Sequence, residues 1–288
     1  MRICTNHLTL SIIIMKNEKR FNKIVSDIKK IKIQGARNIA QAALYACSLY
    51  GGTCLIHPKA KKKLEQARPT EPMLVNVLNN YHKLGYKKTL KHFDYAQNII
   101  NLQVLKLIKN NSIIFTHCHS TNVIKALIYA KKHGKKFQVY NTETRPLFQG
   151  RKTARELEKA GIKVTMFTDS AIDIALEKKQ GTKKADLILL GADAILKEGV
   201  INKTGSGMIA ELAKIDKIPL YIVADSWKYS SHHIEIEERD FHEVWARVPR
   251  HIKVRNPAFE LVEKKYITRI VSELGILSYN RFLRKIRK

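Results

Sequence analysis

The chain has 288 residues, is 44% hydrophobic and 8% aromatic, and is long enough for about two domains with a sizeable core. That composition excludes disordered, collagen-like and linker classes. Lys plus Arg number 53 against 25 Asp plus Glu, a formal charge of +28 that favours polyanionic or phosphorylated partners. Compositional bias and a solvated surface explain the excess more simply than a dedicated nucleic-acid site, because the basic residues are spread along the chain rather than packed into one arm.

At the N-terminus the longest apolar run, residues 8–15, is too short to span a membrane. Met15 followed by Lys-Asn-Glu-Lys-Arg reads as a start, so residues 1–14 are expected to be a disordered tail or a gene-model extension. Residues 15–110 carry helical periodicity: Ile39, Ala42, Ala43, Ala46 and Cys47 recur at three- and four-residue spacing, as do Ile99, Ile100, Val104, Leu105 and Ile108. Arg68-Pro-Thr-Glu-Pro72 between them is a loop with a helix-start signal. Residues 111–288 change texture. Short apolar runs at 112–116, 137–140, 164–167, 187–190 and 220–223 alternate with helical patterns at 121–132, 153–160, 170–178 and 207–213. Such alternation predicts a Rossmann-like parallel-sheet domain behind an all-helical one, an α/β protein overall. Cys4, Cys47, Cys54 and Cys118 form no CxxC and no zinc-ligand spacing, which suits a reducing cytoplasm and no disulfide framework.

In an open parallel sheet, ligands bind beyond the carboxyl ends of the strands. The segments there are His117-Cys-His-Ser120, Thr142-Glu-Thr-Arg145, Thr168-Asp-Ser170, Gly191-Ala-Asp193 and Asp225-Ser-Trp-Lys228. A thiol, several acids, an Arg and a Lys would therefore face one crevice, a site for a small phosphorylated anion with acid–base chemistry beside it. Cys118 is read as a thiol of lowered pKa at a helix start, able to accept a proton. His117 and His119 flank it, but no third cluster completes a metal-ligand set. The stretch 199–207 offers Asn202, Lys203 and glycine-rich backbone donors ahead of a helix, an arrangement suited to anions. It lacks Walker spacing, and no GxGxxG follows the first strand.

Taken together, Thr116-His-Cys118-His-Ser120, Thr142-Glu-Thr-Arg145-Pro-Leu-Phe-Gln149-Gly150, Gly191-Ala-Asp193-Ala, Asn202-Lys203-Thr-Gly205 and Trp227-Lys228 resemble one superfamily. It unites the alpha, beta and delta subunits of translation initiation factor 2B with isomerases of ribose 1,5-bisphosphate and methylthioribose 1-phosphate. The resemblance runs from about residue 31 to 276 and includes Ile236-Glu-Glu-Arg-Asp240 and Asn256-Pro-Ala-Phe-Glu260. It implies a helical domain before a Rossmann-like one, in a homodimer or higher homo-oligomer.

Within the superfamily the isomerases carry Cys at the position of Cys118 and Asp at that of Asp193, and the initiation-factor subunits commonly lack the pair. The resemblance therefore implies an aldose–ketose isomerase on a phosphorylated pentose, closest to ribose-1,5-bisphosphate isomerase and placed in nucleotide salvage. Cys118 would abstract the C2 proton, and Asp193 would donate and relocate protons. Arg68, Asn202, Lys203 and Lys228 match substrate contacts, with Arg145 and Gln149 beside them. One departure stands out: the usual Arg-Gly-Ala reads Gln34-Gly35-Ala36-Arg37, so either Arg37 reaches the same phosphate from one helical turn on or the substrate differs. The alternatives are an initiation-factor-like regulatory subunit that retains a sugar-phosphate or nucleotide pocket, with RNA or an initiation factor as partner, and methylthioribose-1-phosphate isomerase. No metal, organic cofactor or membrane partner is implied.

Overall fold

The structure is a computed structural model that describes residues 4–49 and 58–287, with side chains from Met15 onward within those ranges. It divides into two units, Met1–Asp94 and Tyr95–Lys288. The division falls inside a helix, ahead of the 110/111 boundary read from the texture of the sequence.

The first unit is helical. Helix α1 (Cys4–Lys29) begins inside the stretch set aside as a tail, and α2 (Ala36–Ser48), α3 (Pro58–Ala67) and the start of α4 (Pro72–Leu107) follow. The apolar positions read from the sequence line the interior of α2, where Ile39, Ala43, Ala46 and Cys47 are buried. Pro72 opens α4 at the one helical position where a missing N–H costs nothing. Gly85 breaks that helix with φ 73° and ψ 168°, and the Thr89 hydroxyl donates to the freed Gly85 carbonyl at 2.9 Å. Cys54 lies outside the described residues, whereas Cys118 is a free thiol and Cys47 is buried in α2.

The second unit is a doubly covered sheet. Its elements are β1 (Ser112–Thr116), α5 (Thr121–Lys132), β2 (Phe137–Thr142), α6 (Gln149–Lys159), β3 (Lys163–Phe167), α7 (Ile172–Leu176), β4 (Leu187–Leu190), β5 (Ala194–Ile195), β6 (Gly199–Lys203), α8 (Ser206–Ile215), β7 (Leu220–Val223), β8 (Phe259–Glu263), β9 (Arg269–Ser272), β10 (Gly275–Leu277) and α9 (Tyr279–Ile286). Seven strands run in the order β10-β9-β7-β4-β1-β2-β3, parallel except for the β9–β10 pair. Every residue of β1 and β4 is buried, because side chains alternate between two apolar layers. Ile113 and Phe115 face the layer formed with α7, α8 and α9, and Ile114 faces the layer formed with α5, α6 and the C-terminal half of α4. β3 is the exception: it is an edge strand, and three of its five residues are exposed.

A second sheet, β5-β6-β8, is antiparallel and pairs Asn202 with Glu260 and Lys203 with Phe259. Residues 199–203, expected to serve as an anion loop, are its central strand. Among the described residues, no helix is long and apolar enough to cross a membrane.

Candidate active site

The chain reverses direction across the sheet between β1 and β4: β2 and β3 lie to one side of β1, and β7, β9 and β10 lie beyond β4. Such a switch point opens a crevice at the strands' carboxyl ends. Cys118 follows β1 and Asp193 follows β4, so both segments that flank the switch point carry a reactive group. The loops touch, since a Cβ added to Gly191 would fall 2.7 Å from Ser120 Cβ, a contact that only glycine avoids.

Cys118 sits in the left-handed region, with φ 64°. Its N–H donates to Thr144 Oγ1 at 3.0 Å, and its carbonyl accepts from Thr153 Oγ1 at 2.7 Å. Its thiol departs from expectation. Burial first, and the Asp193 carboxylate second, push it up to about 12. Lys203 pulls the other way but more weakly, as does the start of α5 through the His119 N–H. The expected low-pKa thiolate is therefore corrected to a neutral thiol, because desolvation and a neighbouring carboxylate outweigh the cation and the helix start.

The flanking histidines are occupied. His117 bridges Thr142 Oγ1 at 2.5 Å and the Thr204 carbonyl at 3.0 Å, and burial holds it down to about 4. His119 contacts Thr153 Oγ1 at 3.2 Å and is also lowered to about 4, by burial and then by Lys152.

Lys203 is 7% exposed, and within the described residues its ammonium makes no hydrogen bond or ion pair. A buried cation without a partner is costly unless an anion arrives to meet it. Asn202, beside it, donates to Ser206 Oγ at 2.8 Å. Lys228 is also buried, and its ammonium donates to the Ala192 carbonyl at 2.5 Å, next to Asp193. Lys228 ends a 3-10 turn, Ser226–Lys228, that the Asp225 carboxylate caps through Trp227 N at 2.9 Å.

Two groups expected to meet an anion are engaged within the chain. The glycine-rich start of α8 is filled from within: Glu260 Oε1 accepts from Gly205 N at 2.6 Å and Gly207 N at 2.7 Å. Glu260 reaches it because β8 pairs with β6 directly below that turn. In the first unit, Arg37 donates to Asp94 Oδ1 at 2.7 Å and to the Phe93 carbonyl at 3.0 Å, so its guanidinium ties α2 to α4 instead of reaching for a phosphate. Gln34 donates to the Ile31 carbonyl at 3.2 Å, Gly35 precedes α2 with φ 86°, and Ala36 is buried. Arg68 is buried in the turn between α3 and α4.

Cys118, Asp193 and Lys203 thus share one electrostatic neighbourhood, with Asp169 acting on the same thiol. Lys228 joins them through the Ala192 carbonyl, and Asn202 through its neighbour. Arg145 does not: its guanidinium is exposed, donates to the Val244 carbonyl at 3.2 Å and lies 5.0 Å from the Phe148 ring. Gln149 opens α6, with its Oε1 buried and unpartnered among the described residues.

Two residues go beyond the sequence reading. Asp169 clamps the β2–α6 loop by accepting from Thr144 N at 2.9 Å and Arg145 N at 2.6 Å. Glu260 holds the β6–α8 turn. Strand-end position pointed to Asp169; Glu260 lay in a motif of the resemblance, but nothing in the sequence showed that its carboxylate reaches α8 from a neighbouring sheet.

Residues 85–279 match the model of the initiation factor 2 subunit family. The chain is 33% identical to ribose 1,5-bisphosphate isomerase of Methanocaldococcus jannaschii, over 87% of this chain and 89% of that one. It is 31% identical to methylthioribose-1-phosphate isomerase of Exiguobacterium sibiricum, over 88% of this chain and 85% of that one. A crystal structure of the Pyrococcus horikoshii translation initiation factor eIF-2B superposes with a TM-score of 0.79 at 26% identity, covering 90% of this chain and 97% of that one.

Proposed function

The chain belongs to the initiation factor 2 subunit family, and within that family we propose that it is a sugar-phosphate aldose–ketose isomerase acting on ribose 1,5-bisphosphate. One observation carries the reading: a Cys118 thiol raised by burial and then by the Asp193 carboxylate, beside the Lys203 ammonium, which has no hydrogen bond or ion pair among the described residues. Regulatory subunits need a pocket but no proton-transfer pair. The named relatives at 33% and 31% identity support an isomerase of a phosphorylated ribose.

The raised thiol fits this chemistry. Thiol and carboxylate together hold one proton, and moving it from sulfur to Asp193 gives a base and an acid without exchange with solvent. Thiolate at Cys118 takes the C2 proton, the C2–H electrons form the C1–C2 double bond, and the C1–O4 bond breaks. The Asp193 acid protonates the departing ring oxygen. In the second half, the Asp193 carboxylate takes the C2 hydroxyl proton as C2–O becomes a carbonyl, and the Cys118 thiol returns its proton to C1. The pair ends as thiolate and carboxylic acid, the state in which it met the substrate, and the proton returns from Asp193 to sulfur. Lys203, Lys228 and Asn202 are suited to phosphate and hydroxyl oxygens near C1. Arg68, Gln34, Gly35 and Ala36 enter this reading through the resemblance alone.

The test is to incubate the protein separately with ribose 1,5-bisphosphate and methylthioribose 1-phosphate and follow ketose formation by NMR. Turnover of the bisphosphate at least about tenfold faster in kcat/KM, roughly 1.4 kcal/mol of discrimination, supports the reading. Preference for the methylthio sugar would replace the substrate, and binding without turnover would replace the activity with a sensing role.

A further inference from the structure

Thr142 and His117 have no part in the proton transfers above, yet both are buried and both stand between the two loops that matter most. Their hydrogen bonds have a single direction. The Thr204 carbonyl can only accept, so His117 Nε2 carries the hydrogen, and Nδ1 of the neutral ring accepts from the Thr142 hydroxyl. With its hydrogen committed to His117, Thr142 Oγ1 is the acceptor for Thr144 Oγ1, 3.4 Å away. Thr144 Oγ1 in turn accepts the Cys118 N–H at 3.0 Å. The chain therefore runs from Cys118 N–H through Thr144, Thr142 and His117 to the carbonyl of Thr204, the residue after Lys203.

We propose that Thr142 and His117 are positioning residues, a hydrogen-bond chain that locks the turn bearing Cys118 to the end of β6, which bears Lys203. Three observations converge on this role. Cys118 and Thr144 both hold positive φ, 64° and 61°, which a non-glycine residue keeps only where the surroundings enforce it, and Thr144 is β-branched besides. The Thr204 carbonyl can only accept, so with the His117 ring neutral the chain has one direction. Gly205 completes the seat: a Cβ there would lie 3.2 Å from His117 Nε2, and its φ of 105° suits glycine. The lock sets where the thiol and the ammonium stand relative to each other before substrate arrives.

The catalytic consequence rests on the isomerase reading; the geometric one does not, and the test separates them. Thr142→Val removes the hydroxyl at nearly constant volume, and Thr142→Ser keeps it. In the full chain, iodoacetamide labelling of Cys118 is followed by peptide mass spectrometry, alongside kcat, KM and thermal midpoint. Thr142→Val is expected to label several-fold faster and to lose roughly ten- to a hundredfold in kcat with KM nearly unchanged, and Thr142→Ser to return toward wild type in both. Should Thr142→Val fail to fold, His117→Asn, which keeps an acceptor for Thr142 but cannot reach Thr204, is read the same way. Wild-type labelling and kcat in a folded Thr142→Val, or no rescue by Ser, would overturn the proposal. If the wild type isomerises no sugar phosphate, the isomerase reading falls and the labelling rates alone decide the lock.

Discussion

At Cys118 burial, a carboxylate and an ammonium compete, and their balance decides what the thiol can do. Burial and Asp193 together outweigh Lys203, so the group stays protonated to about pH 12. Asp193→Asn removes the second-largest cause. It is expected to lower the thiol pKa and to speed alkylation of Cys118 near pH 9, read as a shift of the labelling profile to lower pH; an unshifted profile would mean that Asp193 does not face the thiol. That Cys118 and Asp193 stand just past strand ends was legible in the sequence, because apolar runs in an α/β pattern mark where strands stop. The direction of the thiol's shift was not legible. A helix start and a lysine nearby argue for thiolate, and only the packed structure shows how much water has been excluded. Arg37 gave a similar lesson: its charge was visible, but its partner Asp94 lies 57 residues away.

At the scale of elements, β1, β2, β3, β4 and β7 announced themselves as apolar runs, whereas β5, β6, β8 and the parallel β9 did not. β5 has two residues, and β6 contains Asn202 and Lys203, so composition argued for a loop. The pairing of β6 with β8 makes it a strand and delivers Glu260 to the start of α8. Glu260→Ala would expose two unsatisfied N–H groups at a helix N-terminus and is expected to cost about 2 kcal/mol in urea unfolding. An unchanged midpoint would show that solvent can replace the carboxylate. The β1–α5 turn carries a pH dependence of definite sign. His117 is neutral in the folded chain down to about pH 4, but in the unfolded chain it takes up a proton near the ordinary histidine value of 6.5. Its contribution is therefore complete above pH 6.5 and is lost as pH falls toward 4, by roughly 3 kcal/mol at most. A His117→Gln variant should show a flatter stability profile across that window, and an identical slope would remove the histidine from the account.

For the molecule as a whole, the family was legible because its motifs are ordered along most of the chain, while the division into units was not. Helical texture continues past Asp94, and α4 carries it into the second unit, where Ile100, Val104 and Ile108 pack on the sheet. The net charge of +28 acts at this scale as well. A bisphosphate approaching so basic a protein is drawn in by a field that salt screens, over about 10 Å at 0.1 M. Raising ionic strength is expected to lower kcat/KM several-fold and leave kcat nearly constant; equal losses in both would place the effect on the chemistry instead.

The proton pair is the central claim, and one measurement reaches it directly. Wild type, Cys118→Ser and Asp193→Asn are run with ribose 1,5-bisphosphate in heavy water, and NMR follows both the ketose and deuterium at its C1. The expected result is ketose from wild type and, from each variant, a kcat lower by about a thousandfold or more with the bisphosphate still bound. Ketose formed by Cys118→Ser at close to the wild-type rate would contradict the account.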